Sequence, residues 1–263
     1  MSDDIVERIA DAMPLEKGDR TLIASDVRQM CRFLRLDKLT DELHHFIDLL
    51  KAKVGEEGTL LFPTYNWNFC KGIPFDYKKT RSRTGSLSQM ALKRDDFTRT
   101  HHALYSFAVW GKGTERLYNM NDANSFVGDT PFDWLYRNNG KMIMLDVTPN
   151  RCFTFIHYCE ETNHVDYRFV KEFHGKYIDE WDQESERMYS MFVRYLDERN
   201  VTLHPDTYDW FRSSGVLKET KVEGIPVGCM LFTESFDFMT QDIQHNDARH
   251  LIVRAGSNIG GDG

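Results

Sequence analysis

A strand, a helix and a second strand follow one another within the first quarter of the chain, and this limits it to few folds. Thr21-Leu22-Ile23-Ala24 reads as a short buried strand. Residues 37–54 (DKLTDELHHFIDLLKAKV) carry apolar side chains at i, i+3, i+4 and i+7, the pattern of an amphipathic helix, and Gly55 closes it. Residues 58–63 (GTLLFP) form the second strand, stopped by Pro63. Two strands joined through a helix need a crossover, which is right-handed in nearly all proteins. The short gaps point to an α/β layer fold.

The remaining elements are less regular. Residues 5–13 and 86–93 have helical character, and 103–110 reads as a strand. Residues 141–147 (KMIMLDV) form a near-continuous apolar run, which suits a sheet covered on both faces. Residues 154–161 open a helix with Thr154 as N-cap. Residues 64–85 hold no period, and 169–175 are aromatic and mixed in polarity, without a firm assignment. Residues 179–198 read as a long charged helix whose Met188, Met191, Phe192, Tyr195 and Leu196 form one stripe of the kind that faces a core. The last residues, 256–263 (GSNIGGDG), read as a flexible, frayed end. No linker is evident, so a single domain over 1–263 is expected.

Composition bounds the function. The 263 residues, 41% hydrophobic and 13% aromatic, can bury a full core. No run approaches the roughly 18 apolar residues of a membrane span, and the acidic amphipathic start (MSDDIVERIADAM) is unlike a signal peptide. Cys31, Cys70, Cys152, Cys159 and Cys229 are scattered and odd in number, as in the reduced thiols of a cytoplasmic protein. A net charge of -8 argues against nucleic acid and anionic membranes as partners and mildly favours a cationic small substrate. The same charge would also serve solubility alone.

Two places carry candidate chemistry. Thr98-Arg99-Thr100-His101-His102 and the following segment to Gly113 set histidines beside a small hydroxyl and a Gly-bounded loop. Further on, His157 and Glu160 stand three residues apart in the 154–161 segment, on one face of a helix. A carboxylate there would orient the imidazole and raise its basicity, as proton removal from an amine or hydroxyl requires. The alternative is a surface ion pair among ten histidines.

Six blocks, in order, resemble the antibiotic N-acetyltransferase family, whose best-known members are aminoglycoside 3-N-acetyltransferases. They are GTLLFPTYNW from Gly58 to Trp67, Ser82-Arg83-Thr84-Gly85-Ser86-Leu87, and His102 with Ser106-Phe107-Ala108-Val109-Trp110-Gly111. Phe126-Val127-Gly128-Asp129-Thr130-Pro131-Phe132, Thr154-Phe155-Ile156-His157-Tyr158-Cys159-Glu160 and Val227-Gly228-Cys229-Met230-Leu231-Phe232 complete the set. The resemblance implies an α/β sandwich with a central mixed sheet flanked by helices, distinct from the common acetyltransferase superfamily fold. It implies acetyl transfer from acetyl-CoA to an amine, with His157 as general base and Glu160 as its orienting partner. It places His102 and Ser106 near the thioester; the alternative for both is a buried pair that satisfies backbone groups. Gly85, Gly111 and Gly128 would let backbone approach the pantetheine arm or phosphates, or merely make turns. Arg83, with Lys78, Lys79 and Arg81, would meet the CoA phosphates or form a solvated loop. His101 reads as a solvated neighbour.

Departures from the family pattern concern the acceptor above all. Ser25-Asp26-Val27-Arg28 stands where a His-Ser-Ser-Leu loop touches CoA, keeping Ser25 as a donor contact. Ala103 replaces a proline, Gln89 an acidic residue, and 147–153 lacks the usual Gly-His-x-x-Asn. An aminoglycoside, a nucleotide- or carrier-linked amino sugar of cell-surface polysaccharide, and a catalytically quiet CoA-binding role all stay open, as does a homodimer. Tyr167, Phe169, Phe173, His174 and Tyr177 suit stacking on a sugar or base, while the acidic residues that follow scatter around the charged helix. The expectation is an amino sugar with few positive charges. A metal site built from His102, His157 and Glu160 lacks paired ligand spacing, and no metal is expected.

Overall fold

The computed structural model describes residues 4–255. The end expected to fray, 256–263, lies outside the described residues.

The strands are β1 (Arg20–Ser25), β2 (Thr59–Pro63), β3 (Phe75–Asp76), β4 (Thr98–Arg99), β5 (Phe107–Gly111) and β6 (Lys141–Leu145). They continue with β7 (Arg168–Ile178), β8 (Glu184–Arg194), β9 (Val201–Leu203), β10 (Lys218–Val222), β11 (Ile225–Leu231) and β12 (Ile252–Arg254). Seven of them form one sheet in the order β10-β11-β6-β1-β2-β5-β4. β1 pairs in parallel with β2 and β6, whereas β11 and β5 join antiparallel on either side. The strand–helix–strand unit is thus the centre of the sheet, as its apolar runs require.

Successive residues on these strands enter different cores. Leu22, Ala24, Met142 and Met144 face one apolar cluster, and Ile23, Ile143 and Leu145 face the other. The second cluster is closed by helices Ile5–Ala12 and Leu39–Val54 through Val6, Ile9, Phe46, Ile47 and Leu50. On the first face pack Pro131–Arg137, Ile156–Thr162 and Phe232–Asn246, through Phe132, Leu135, Phe155, Phe232 and Met239. A sheet buried on both sides explains why β6 is apolar throughout instead of alternating. The expected mixed sheet flanked by helices is the observed architecture.

Three expectations fail locally. Residues 179–198 are not a helix. β7 and β8 form a long hairpin in register from Arg168↔Arg194 to Ile178↔Glu184. Its turn is held by Asp179, whose Oδ1 accepts from the N–H groups of Trp181 (2.9 Å) and Gln183 (2.8 Å), with Asp182 at φ 61. Cross-strand pairs such as Phe173↔Tyr189 and Val170↔Phe192 decide the matter, because strand stability comes from such partners and not from one segment's periodicity. Leu196, counted in the helical stripe, lies in no helix or strand and is 81% exposed.

Residues 103–110 yield strand only from Phe107, because His102 Nδ1 accepts from Leu104 N (3.2 Å) and Tyr105 N (3.1 Å) and bends the chain beforehand. Thr154 is not an N-cap either. Its helix starts at Ile156 after Phe155, which is already in αR backbone, and has no side-chain cap.

Candidate active site

Helix Ile156–Thr162 projects His157 and Glu160 from one face, as the three-residue spacing requires. His157 Nδ1 lies 2.8 Å from Glu160 Oε2. Arg168, the first residue of β7, brings its Nε to 2.7 Å from the same oxygen. The Glu160 side chain is fully buried, while that of His157 is 26% exposed. Burial pushes the Glu160 carboxyl up, but the His157 hydrogen bond and the Arg168 charge outweigh it and hold the group below its usual value. Burial holds the His157 pKa below its usual value; the Glu160 hydrogen bond works against this, and the Arg168 charge adds a smaller lowering. The imidazole is thus neutral at pH 7. With an ionised Glu160 as acceptor, Nδ1 carries the proton and Nε2 is the free base.

His157, Glu160 and Arg168 line a cleft of about 470 Å³, bounded by Pro149 to Thr154, the β8 end from Met191 to Arg194, β9, Phe211 and Ile252. A second cleft of about 480 Å³ lies at the carboxyl end of β1, lined by Ser25, Asp26, Arg28, Tyr65, Trp67, Arg83, Thr84 and Gly85 among others. Arg151, Cys152 and Thr154 line both, so the two clefts share a wall. Burial holds the Cys152 thiol protonated, well above its usual pKa, so Cys152 stands there as a neutral wall residue.

Of the residues expected to touch the donor, the structure gathers Ser25, Arg83 and Gly85 in the second cleft. Ser25 Oγ is buried there without a hydrogen-bond partner. Gly85 has φ +106, and a Cβ on it would come within 3.1 Å of the Ser25 carbonyl oxygen, so glycine is what lets the two walls approach. His102, Ser106 and Gly111 are not brought to that cleft. Ser106 is fully buried, its Oγ bonded to Thr64 Oγ1 (2.9 Å), Thr64 O (3.1 Å) and Arg99 Nε (3.1 Å). His102 holds its own turn, and burial pulls its imidazole down to about 4. Gly111 ends the sheet strand β5 at φ +101, where a Cβ would sit 2.1 Å from the Gly58 carbonyl oxygen. None of the three lines the first or the second cleft.

Other charges are committed elsewhere. Lys78 pairs with Asp182 at 2.7 Å and Lys79 with Asp76 at 3.1 Å. His101, expected in solvent, is part-buried 3.1 Å from Glu180 Oε1. Among the described residues no group of three or more His, Cys, Asp or Glu side chains converges to hold a metal ion, and no helix is long and apolar enough to cross a membrane.

The sequence model of the aminoglycoside 3-N-acetyltransferase family matches residues 31–244. The chain belongs to this family. Solved structures of aminoglycoside acetyltransferases share its acyltransferase fold. AAC-IIIb, solved as a binary complex with CoASH, superposes with a TM-score of 0.73 at 18% identity, covering 92% of this chain and 95% of its own. AAC(3)-Xa gives 0.74 at 16% identity, with 95% and 94% covered. The YokD protein of Bacillus subtilis gives 0.72 at 18%, with 91% and 97% covered. No curated protein matches the sequence.

Sequence reasoning missed Arg168 in this candidate site. Nothing in the primary sequence ties it to Glu160. The link exists only because the hairpin, itself misread, returns β7 past helix Ile156–Thr162.

Proposed function

We propose that this family member transfers the acetyl group of acetyl-CoA to the amine of an amino sugar, free, within an aminoglycoside, or linked to a nucleotide or carrier. The observation that carries the reading is the His157–Glu160 contact of 2.8 Å on the rim of a cleft that shares a wall with a second, polar cleft. The second cleft fits a CoA arm. It offers an unpartnered buried hydroxyl at Ser25, a guanidinium at Arg83, aromatic faces at Tyr65 and Trp67, and a close-approach glycine at Gly85. The AAC-IIIb complex with CoASH on the same fold supports this assignment.

Acetyl-CoA supplies an activated acyl group, which a neutral amine attacks readily. The chain's own tasks are therefore to neutralise, align and hold. His157 Nε2 removes a proton from the acceptor amine as the C–N bond forms. Glu160 keeps the ring oriented and stabilises the imidazolium that results. His157 then returns the proton to the departing thiolate as the C–S bond breaks. Because burial holds the His157 pKa below its usual value, the base form predominates at neutral pH.

The test is His157→Ala. Release of CoA thiol in the presence of an amino sugar should fall about 100- to 10,000-fold, with the acetyl-CoA dissociation constant nearly unchanged. Near-normal turnover by a folded His157→Ala protein would sink the mechanism.

A further inference from the structure

We infer that the amine accepted in the His157 cleft carries a phosphate or carboxylate, held by the guanidinium groups of Arg151, Arg168 and Arg194. The inference deepens the acetyl-transfer reading and rests on it. In the β7–β8 hairpin Arg168 stands directly opposite Arg194, and both line the cleft. Directly opposed residues of an antiparallel pair project from the same face, where like charges destabilise the sheet. Glu160 supplies a counter-charge to Arg168, and the exposed Arg194 side chain is left open to a ligand. Arg194 has a carbonyl contact, Nη1 to Val201 O at 3.0 Å, and no carboxylate partner among the described residues. Arg151, on the wall between the two clefts, makes no side-chain hydrogen bond or close ion pair among them and feels the Asp26 carboxylate of the second cleft only at longer range.

The acidic side of the cleft is already spent. Glu160 is the one carboxylate lining it, and its Oε2 faces both His157 and Arg168. Nothing acidic is left there for the extra ammonium groups of a polycation. The chain as a whole has a net charge of -8, so a cleft with three guanidinium groups and one carboxylate does not follow from composition. Arginine forks match the paired oxygens of phosphate and carboxylate. An anionic amine would place its acid group on the β8 end while its nitrogen reaches His157.

The experiment compares four acceptors under acetyl-CoA: an amino-hexose 1-phosphate, an amino sugar acid, the methyl glycoside of the same amino sugar, and an aminoglycoside. At least one anionic acceptor should exceed the methyl glycoside in kcat/KM by about tenfold or more, the usual worth of a charge-assisted contact. Which of the two anions leads identifies the acid group. Arg194→Gln should cut that ratio about tenfold, and Arg194→Lys should retain part of it, which guards against simple misfolding. Preference for the methyl glycoside or the aminoglycoside overturns the inference. So does an Arg194→Gln protein that binds CoA more weakly but keeps the ratio. Calorimetry with CoA present separates this inference from the reading beneath it. An amino-hexose 1-phosphate that binds, loses binding in Arg194→Gln and is never acetylated supports the anion pocket and refutes acetyl transfer. Acetylation without anion preference does the reverse.

Discussion

Glu160 answers to two partners, and its replacement should therefore show two separate effects. Glu160→Gln keeps a group able to accept from His157 but leaves the Arg168 charge unpaired beside it, a loss of about 3 kcal/mol in stability readable by urea unfolding. Turnover should fall less than in His157→Ala, and the double variant should be barely slower than His157→Ala alone, since the two act as a unit. Fully additive losses would give Glu160 an independent role. Arg168→Gln tests the electrostatics with a definite sign. The Arg168 charge helps hold the His157 pKa down. Its removal should raise that pKa and move the acid limb of the pH–rate profile to higher pH. A limb that stays in place would mean that burial and Glu160, not the Arg168 charge, set the imidazole.

At the scale of elements, the central strands were legible because burial on both faces writes itself as an unbroken apolar run. The helix holding His157 and Glu160 was legible from its spacing. The β7–β8 hairpin was not. Met188, Met191, Phe192 and Tyr195 fall at helical intervals, and only the partner strand, with its own Phe169, Phe173 and Tyr177, reveals the pairing. Ser25, Arg83 and Gly85 could be placed together through motif resemblance, whereas Ser106 and Gly111, in equally recognisable motifs, stand away from both clefts. Gly111 provides a sharp check on local packing. Gly111→Ala faces both a positive φ and a carbonyl 2.1 Å from the new Cβ, whereas Gly72→Ala faces a positive φ of 75 with nothing within 4 Å. Gly72→Ala should cost about 1 kcal/mol, and Gly111→Ala clearly more than the roughly 3 kcal/mol upper range for backbone strain alone, by chemical denaturation. Equal costs would show that β5 can move away from Gly58.

For the whole molecule, acid should be the weak direction. His102, drawn down to about 4, and His157, also lowered, are held neutral in the folded state by burial. Below the ordinary histidine value of about 6.5 the unfolded chain therefore binds more protons than the native one. Stability contributed by these groups is complete above that value and is lost as pH falls toward 4. The melting midpoint should drop between pH 7 and 5, and His102→Asn should flatten part of the drop if its fold survives; an unchanged slope would remove His102 from the account. The single oxygen that joins Glu160 to both His157 and Arg168 has a wider consequence. The hairpin that would choose the acceptor also tunes the strength of the base, so a lineage cannot exchange that hairpin for a new substrate without retuning its own chemistry. New specificities on this scaffold should arise first by changes at the far rim, around β9 and Ile252, where no catalytic group shares the bond.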